Sequence, residues 1–96
     1  VNGADPEITP EQINATIRAV QFYQFPGTTL TVCALTLCNG FHVVGGSACV
    51  SPDDFDVELG QQRALENARG AIWDLEGYLL CERQYRDRIG IPDERR

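Results

Sequence analysis

The chain has little positive charge, a single histidine and no long apolar run. Each shortage excludes something. Eight basic residues stand against 14 acidic ones among 96, a formal net charge of -6. A nucleic-acid groove needs a basic stripe to displace counterions from phosphates, so a nucleic-acid polymer is not expected as a partner. One small phosphorylated ligand remains open, because a single Arg can hold a phosphate in an acidic protein. No apolar run approaches the ~18 residues of a membrane span, so no membrane partner is expected. The start, VNGADPEITPEQ, is polar and acidic, unlike a signal peptide, and the expected compartment is the cytosol.

Four cysteines, Cys33, Cys38, Cys49 and Cys81, raise the question of disulfides or zinc. No CxxC pair exists, the only histidine is His42, and three of the cysteines sit in apolar strand-like runs. Reduced cysteines acting as small hydrophobes are expected. There is no P-loop, no GxGxxG and no zinc pattern, so neither metal nor cofactor is expected.

What is present is one domain's worth of chain, with an ordinary 43% of hydrophobic residues. Residues 1–8 and 89–96 read as tails around a single domain over 9–88. Thr9-Pro10-Glu11-Gln12 reads as a helix start with a capping box, and Ile13, Ile17 and Val20 follow at helical spacing over about 10–18. Residues 20–25 read as a strand, Pro26-Gly27 as a turn, 30–38 as a second strand and 41–50 as a third. Asn39-Gly40 predicts a two-residue type I′ hairpin. In that register Cys38 faces Phe41, Leu37 faces His42, Leu35 faces Val44 and Cys33 faces Gly46. One face then carries Cys33, Leu35, Leu37, Val44 and Ala48, and the other Val32, Ala34, Cys38, Phe41, Val43 and Cys49. Both faces are apolar, so both need cover. Gly45-Gly46 marks a bulge or a close approach by backbone or ligand.

Ser51-Pro52-Asp53-Asp54 is expected to open a second helix, with Ser51 as its cap, running to about Tyr85. Phe55, Leu59, Leu65, Ala68, Ile72, Leu75 and Leu79 form its apolar stripe. Gly70, Trp73, Gly77 and Leu80 lie on another face. Two helical glycines beside the only Trp fit either an oligomer face or a helix break. The whole reads as an α+β domain: a short N-terminal helix, a three-stranded antiparallel meander and a long C-terminal helix packed on the sheet, forming a homo-oligomer.

No convergent catalytic constellation is visible, and the protein is not expected to be an enzyme. His42 lacks an acid partner, and a Cys–His pair would lack an orienting group. Asp53, Asp54, Asp56 and Glu58 fit helix capping better than a metal site. A binding site is easier to draw. The run from Gly45 to Ser51 leads toward a helix N-terminus, where backbone N–H groups with Ser47 and Ser51 would cradle an anion. Arg63 and Arg69 could meet a phosphate, Asn67 could read a polar edge, and Phe41, Phe55 or Tyr23 could stack on a base. Helix capping, a solvated face and core packing explain the same residues without a ligand.

The segments Phe25-Pro26-Gly27-Thr28-Thr29-Leu30-Thr31-Val32-Cys33, Leu35-Thr36-Leu37, Asn39-Gly40-Phe41, Ser47-Ala48-Cys49-Val50, Asn67-Ala68, Ile72-Trp73 and Leu75-Glu76-Gly77-Tyr78-Leu79-Leu80 resemble a family of small tailed-phage proteins typified by coliphage N-four and a Shigella phage. The likeness covers roughly residues 14–81. Gly46 departs from the pattern, which carries an acidic residue there, so no role is given to an acid at that position. The resemblance implies a phage accessory protein of unassigned biochemistry, active in the cytosol of a bacterial host. By analogy with other small phage proteins, two roles are expected. The first is an oligomeric counter-defence sponge for a nucleotide-type immune signal. The second is a protein–protein inhibitor of a host enzyme or defence protein, acting through an acidic surface.

Overall fold

The computed structural model of the protein describes residues 8–90. Thr9 caps α1 (Pro10–Thr16): its side chain accepts from the Gln12 N–H, and the Gln12 side chain accepts from the Thr9 N–H. The predicted capping box is therefore formed. The chain then passes directly into β1 (Ile17–Gln24), β2 (Leu30–Leu37) and β3 (His42–Ala48), an antiparallel sheet in the order β1-β2-β3. A bulge at Arg18 shifts the register at the start of β1. A 3-10 turn (Pro52–Asp54) leads into α2 (Val57–Ile89), which Gly90 ends in the left-handed conformation.

Three expectations about these elements need correction. Ser51 precedes only the three-residue 3-10 turn and makes no capping hydrogen bond. The cap of α2 is Asp56, whose carboxylate accepts from the Glu58 and Leu59 N–H groups at 2.9 and 3.3 Å. The helix also runs to Ile89, past Tyr85, and continues unbroken through Gly70 and Gly77, which removes the helix-break reading. The residues 1–7 and 91–96 of the expected tails lie outside the described residues.

The hairpin register is the third correction. Asn39 does not take positive φ; only Gly40 does, at +90°. The Gly40 N–H donates to the Leu37 carbonyl and the Leu37 N–H to the Phe41 carbonyl, so the loop is Cys38–Gly40, three residues long. This is the turn-plus-bulge hairpin with glycine at the left-handed position, and the Asn39 side chain accepts from the Phe41 N–H inside it. One extra loop residue slides the strands by one and exchanges the faces of β3. Leu35 therefore faces Val43, Ala34 faces Val44 and Cys33 faces Gly45. Val43, not Val44, shares the core face with Leu35, and Val44 on the opposite face is 61% exposed.

The core lies between one sheet face and the first half of α2. It comprises Ile13, Cys33, Leu35, Leu37, Val43, Ala64, Ala68 and Ile72, with Ile8, Ile17, Leu65 and Ala71 packed against it. Helix α2 rests mainly on β3 and β2. Gly45 makes this possible. A Cβ there would lie 2.6 Å from the Ala64 carbonyl oxygen and 2.7 Å from the Ala68 Cα. The helix backbone therefore sits directly on the strand, a close approach of the kind the paired glycines led us to expect. No bulge occurs at Gly45-Gly46. Beyond Ile72 no residue of α2 is buried, and the helix projects as an arm, giving the molecule a 56 Å long axis.

Two stability predictions arise here. Thr31 is 2% exposed, and its hydroxyl has no hydrogen-bond partner among the described residues. A buried unpaired hydroxyl costs ~1 kcal/mol or more. Thr31→Val is expected to raise the denaturation midpoint, read by urea titration. The second concerns the thiols, all four of which are free. Burial pushes the Cys33 thiol above its ordinary pKa, so the neutral form is favoured in the fold. Stability is then full below the ordinary thiol pKa and is lost as pH rises through the raised value. Timed alkylation of the native protein with mass mapping is expected to label exposed Cys38 and Cys81 first and Cys33 last.

Candidate functional site

The end of β3 and the start of α2 form the two sides of a cleft. Its inner part, about 30 Å³, is lined by Thr29, Ser47, Cys49, Phe55, Asp56 and Arg63 among others, and holds no more than a couple of waters. It opens into a shallow groove of about 410 Å³ between Ser47, Leu59, Gln62, Arg63, Glu66 and Asn67. Four of the residues singled out from sequence, Ser47, Phe55, Arg63 and Asn67, thus meet around one concavity.

Each is placed by a backbone device. Packing of α2 on Gly45 brings Asn67 to the strand, where its side-chain amide donates to the Gly46 carbonyl at 2.7 Å. The Thr29 hydroxyl donates to the Cys49 carbonyl at 2.6 Å and accepts from the Cys49 N–H, pinning the end of β3 beside Ser47. Phe55 is set between the 3-10 turn and Asp56, and its ring reaches toward Gly60. Arg63, one full turn past Leu59, is exposed and makes no ion pair among the described residues. All cations of this chain other than the terminus are arginines, whose planar fork suits carboxylate and phosphate oxygens.

The other three predicted ligand residues are not part of this cleft. Phe41 lies by the β2–β3 loop, at the far end of the sheet from Ser47. Arg69 is engaged with Glu66 at 3.5 Å and lines neither part of the cleft. Ser51 also stands outside it, and the anion cradle expected there fails for a physical reason. The Glu58 and Leu59 N–H groups in the first turn of α2 already donate to the Asp56 carboxylate. Sequence reasoning missed Thr29, Gln62 and Glu66 as lining residues, and it weighed Asp54 and Asp56 as capping residues or a metal site, not as part of this cleft. Thr29 reaches the site through strand pairing, and Gln62 and Glu66 share a helix face with Arg63, a signal that spacing alone could have carried.

The cleft therefore has one guanidinium, two side-chain amides (Gln62, and Asn67 already committed to backbone), two hydroxyls, an aromatic ring, and the carboxylates of Asp54, Asp56 and Glu66. Such a surface suits a ligand that presents both an anion and hydrogen-bond donors.

A family model, the Phage protein (N4 Gp49/phage Sf6 gene 66) family, matches residues 8–84. The chain belongs to this family. The match takes in all three strands and most of α2, so the cleft and the glycine-packed helix lie inside the shared region. No curated protein and no solved structure matches the chain. Among the described residues no helix is long and apolar enough to cross a membrane.

Proposed function

We propose that this phage-family protein is a non-enzymatic binder, an oligomeric counter-defence sponge that holds a nucleotide-type signalling molecule in the cleft between β3 and α2. The observation that carries the reading is the convergence of Ser47, Phe55 and Arg63, which makes no ion pair among the described residues, with carboxylates beside them. Arg63 would take a phosphate by a charge-assisted pair. The neighbouring carboxylates would repel a bare anion but accept from the N–H donors of a purine edge. Phe55 offers a ring face or edge to the base. A nucleotide satisfies both halves of the site, and inorganic phosphate only one. The cleft is too open to bury most of a nucleotide within one copy, which is why the reading includes an oligomer.

Calorimetric titration with cyclic and ADP-ribose-type nucleotides tests it. Saturable stoichiometric binding by one class, with the nucleotide recovered intact, is the expected result. A panel that produces no heat and no competition would overturn the proposal. A second reading, an inhibitor that docks on a basic host protein, draws support from the acidic run Asp53, Asp54, Asp56 and Glu58 at the surface. It differs in requiring salt-sensitive capture of a protein and no nucleotide.

A further inference from the structure

The outward face of α2 carries an interface code of its own. Residues 66, 70, 73, 77, 80 and 84 alternate spacings of four and three, a heptad seam along one side of a helix. The seam reads Glu66, Gly70, Trp73, Gly77, Leu80 and Gln84. It lies opposite the stripe Ala64, Ala68 and Ile72 that packs on the sheet. A Cβ added at Gly70 or Gly77 would meet nothing within 4 Å, so both notches are open, and Trp73 is 36% exposed beside them.

In a two-fold symmetric antiparallel helix pair, residues that face each other have a constant sum of positions, because each contact is repeated by symmetry. Trp73 with Gly77 and Gly70 with Leu80 share the same midpoint, at Leu75. Glu66 with Gln84 shares it too. One seating thus places both large side chains over both glycine notches and closes each end with a polar pair. Parallel pairing would set Trp73 on Trp73 and leave glycine facing glycine.

We infer that the partner on this face is a second copy of the chain, held antiparallel, with Trp73 seated over Gly77 of the partner subunit and Leu80 over Gly70 of the partner subunit. The sheets then lie on the two outer sides, clear of one another. The seating also brings Asp74 and Glu76 of both copies around the axis, a like-charge cluster that added salt screens. If the cleft is the nucleotide site proposed above, the arrangement has a further consequence that rests on that reading. The partner's last helical turn, with Gln84, Asp87 and Arg88, lies level with Arg63, Glu66 and Asn67 and supplies a second wall to the open groove.

Sedimentation equilibrium of the full chain, without nucleotide, tests the pairing separately from the ligand. The expected result is an even-numbered oligomer whose dissociation constant falls with added salt. Gly77→Leu is expected to raise that constant at least about tenfold while helicity is kept, since the new side chain enters open space in the single chain; Trp73→Ser should do the same. For orientation, in a background where the exposed Cys38 and Cys81 are replaced by serine, mild oxidation of the Glu66→Cys/Gln84→Cys double variant is expected to give a cross-linked dimer that neither single variant gives. A monomer at all concentrations, an oligomer indifferent to both seam substitutions, or cross-linking by the single variants would overturn the inference. Loss of nucleotide binding with the dimer intact would count against the proposed ligand and leave the pairing standing.

Discussion

Gly45→Val unfolds the protein or brings it close to unfolding. The added side chain would enter the backbone of α2, where the Ala64 carbonyl oxygen and the Ala68 Cα lie 2.6 and 2.7 Å from the Cβ position. Backbone cannot rotate aside as a side chain can, so the helix must lift off β3 and open the core around Ala64, Ala68 and Ile72. Overpacking typically costs ~1–3 kcal/mol, and a clash with backbone belongs at or above the top of that range, a large share of the ~5–15 kcal/mol that holds an ordinary domain together. The neighbouring residue supplies the control. Gly46 points to the other sheet face, and its nearest atoms to a Cβ are 3.7 and 3.9 Å away, so Gly46→Ala should change stability little. Chemical denaturation followed by circular dichroism reads both. Equal effects at the two positions would mean that the helix does not sit on Gly45.

The second large effect is on binding. Arg63→Ala is expected to weaken the nucleotide roughly 10- to 100-fold, the range of a lost charge-assisted pair, with the melting temperature unchanged. Arg63 is exposed and makes no ion pair among the described residues, so its removal takes no salt bridge from the described fold. Arg63→Lys should recover part of the affinity, because it keeps the charge and loses the two-pronged fork. Arg69→Ala makes the contrast, since that guanidinium faces Glu66 and stands outside the cleft. If Arg69→Ala harms binding and Arg63→Ala does not, the site lies elsewhere.

Local signals were legible in the sequence wherever the cause was local. The Thr9–Gln12 capping box is four consecutive residues long, and it forms as read. The order of helix, meander and long helix follows from the change of hydrophobic period, and it too is found. The misreadings come from choices between near-equivalent local solutions. Asn39-Gly40 serves a two-residue or a three-residue hairpin equally well, and the difference exchanges Val43 with Val44 between core and surface. Ser51-Pro52 is a real start signal, but the turn it starts ends at Asp54, and Asp56 begins the helix afresh.

The candidate site was legible in part for a related reason. Ser47, Arg63 and Asn67 are the right chemical types, and that can be read from a string. Their meeting depends on where α2 crosses β3, which Gly45 fixes and the Asn67 bond to the Gly46 carbonyl records. Phe41 and Arg69 have equally suitable chemistry and are carried elsewhere by the same packing. The outward seam on α2 is different: its spacing is visible in sequence, but its openness is established only by the empty space at Gly70 and Gly77.

Native mass spectrometry of the purified protein, alone and mixed with cyclic and ADP-ribose-type nucleotides, tests most directly the claim that this is an oligomeric nucleotide binder. The account predicts discrete even-numbered oligomers that gain a stoichiometric nucleotide mass and release it unchanged. A bare monomer that ignores the whole panel would contradict it.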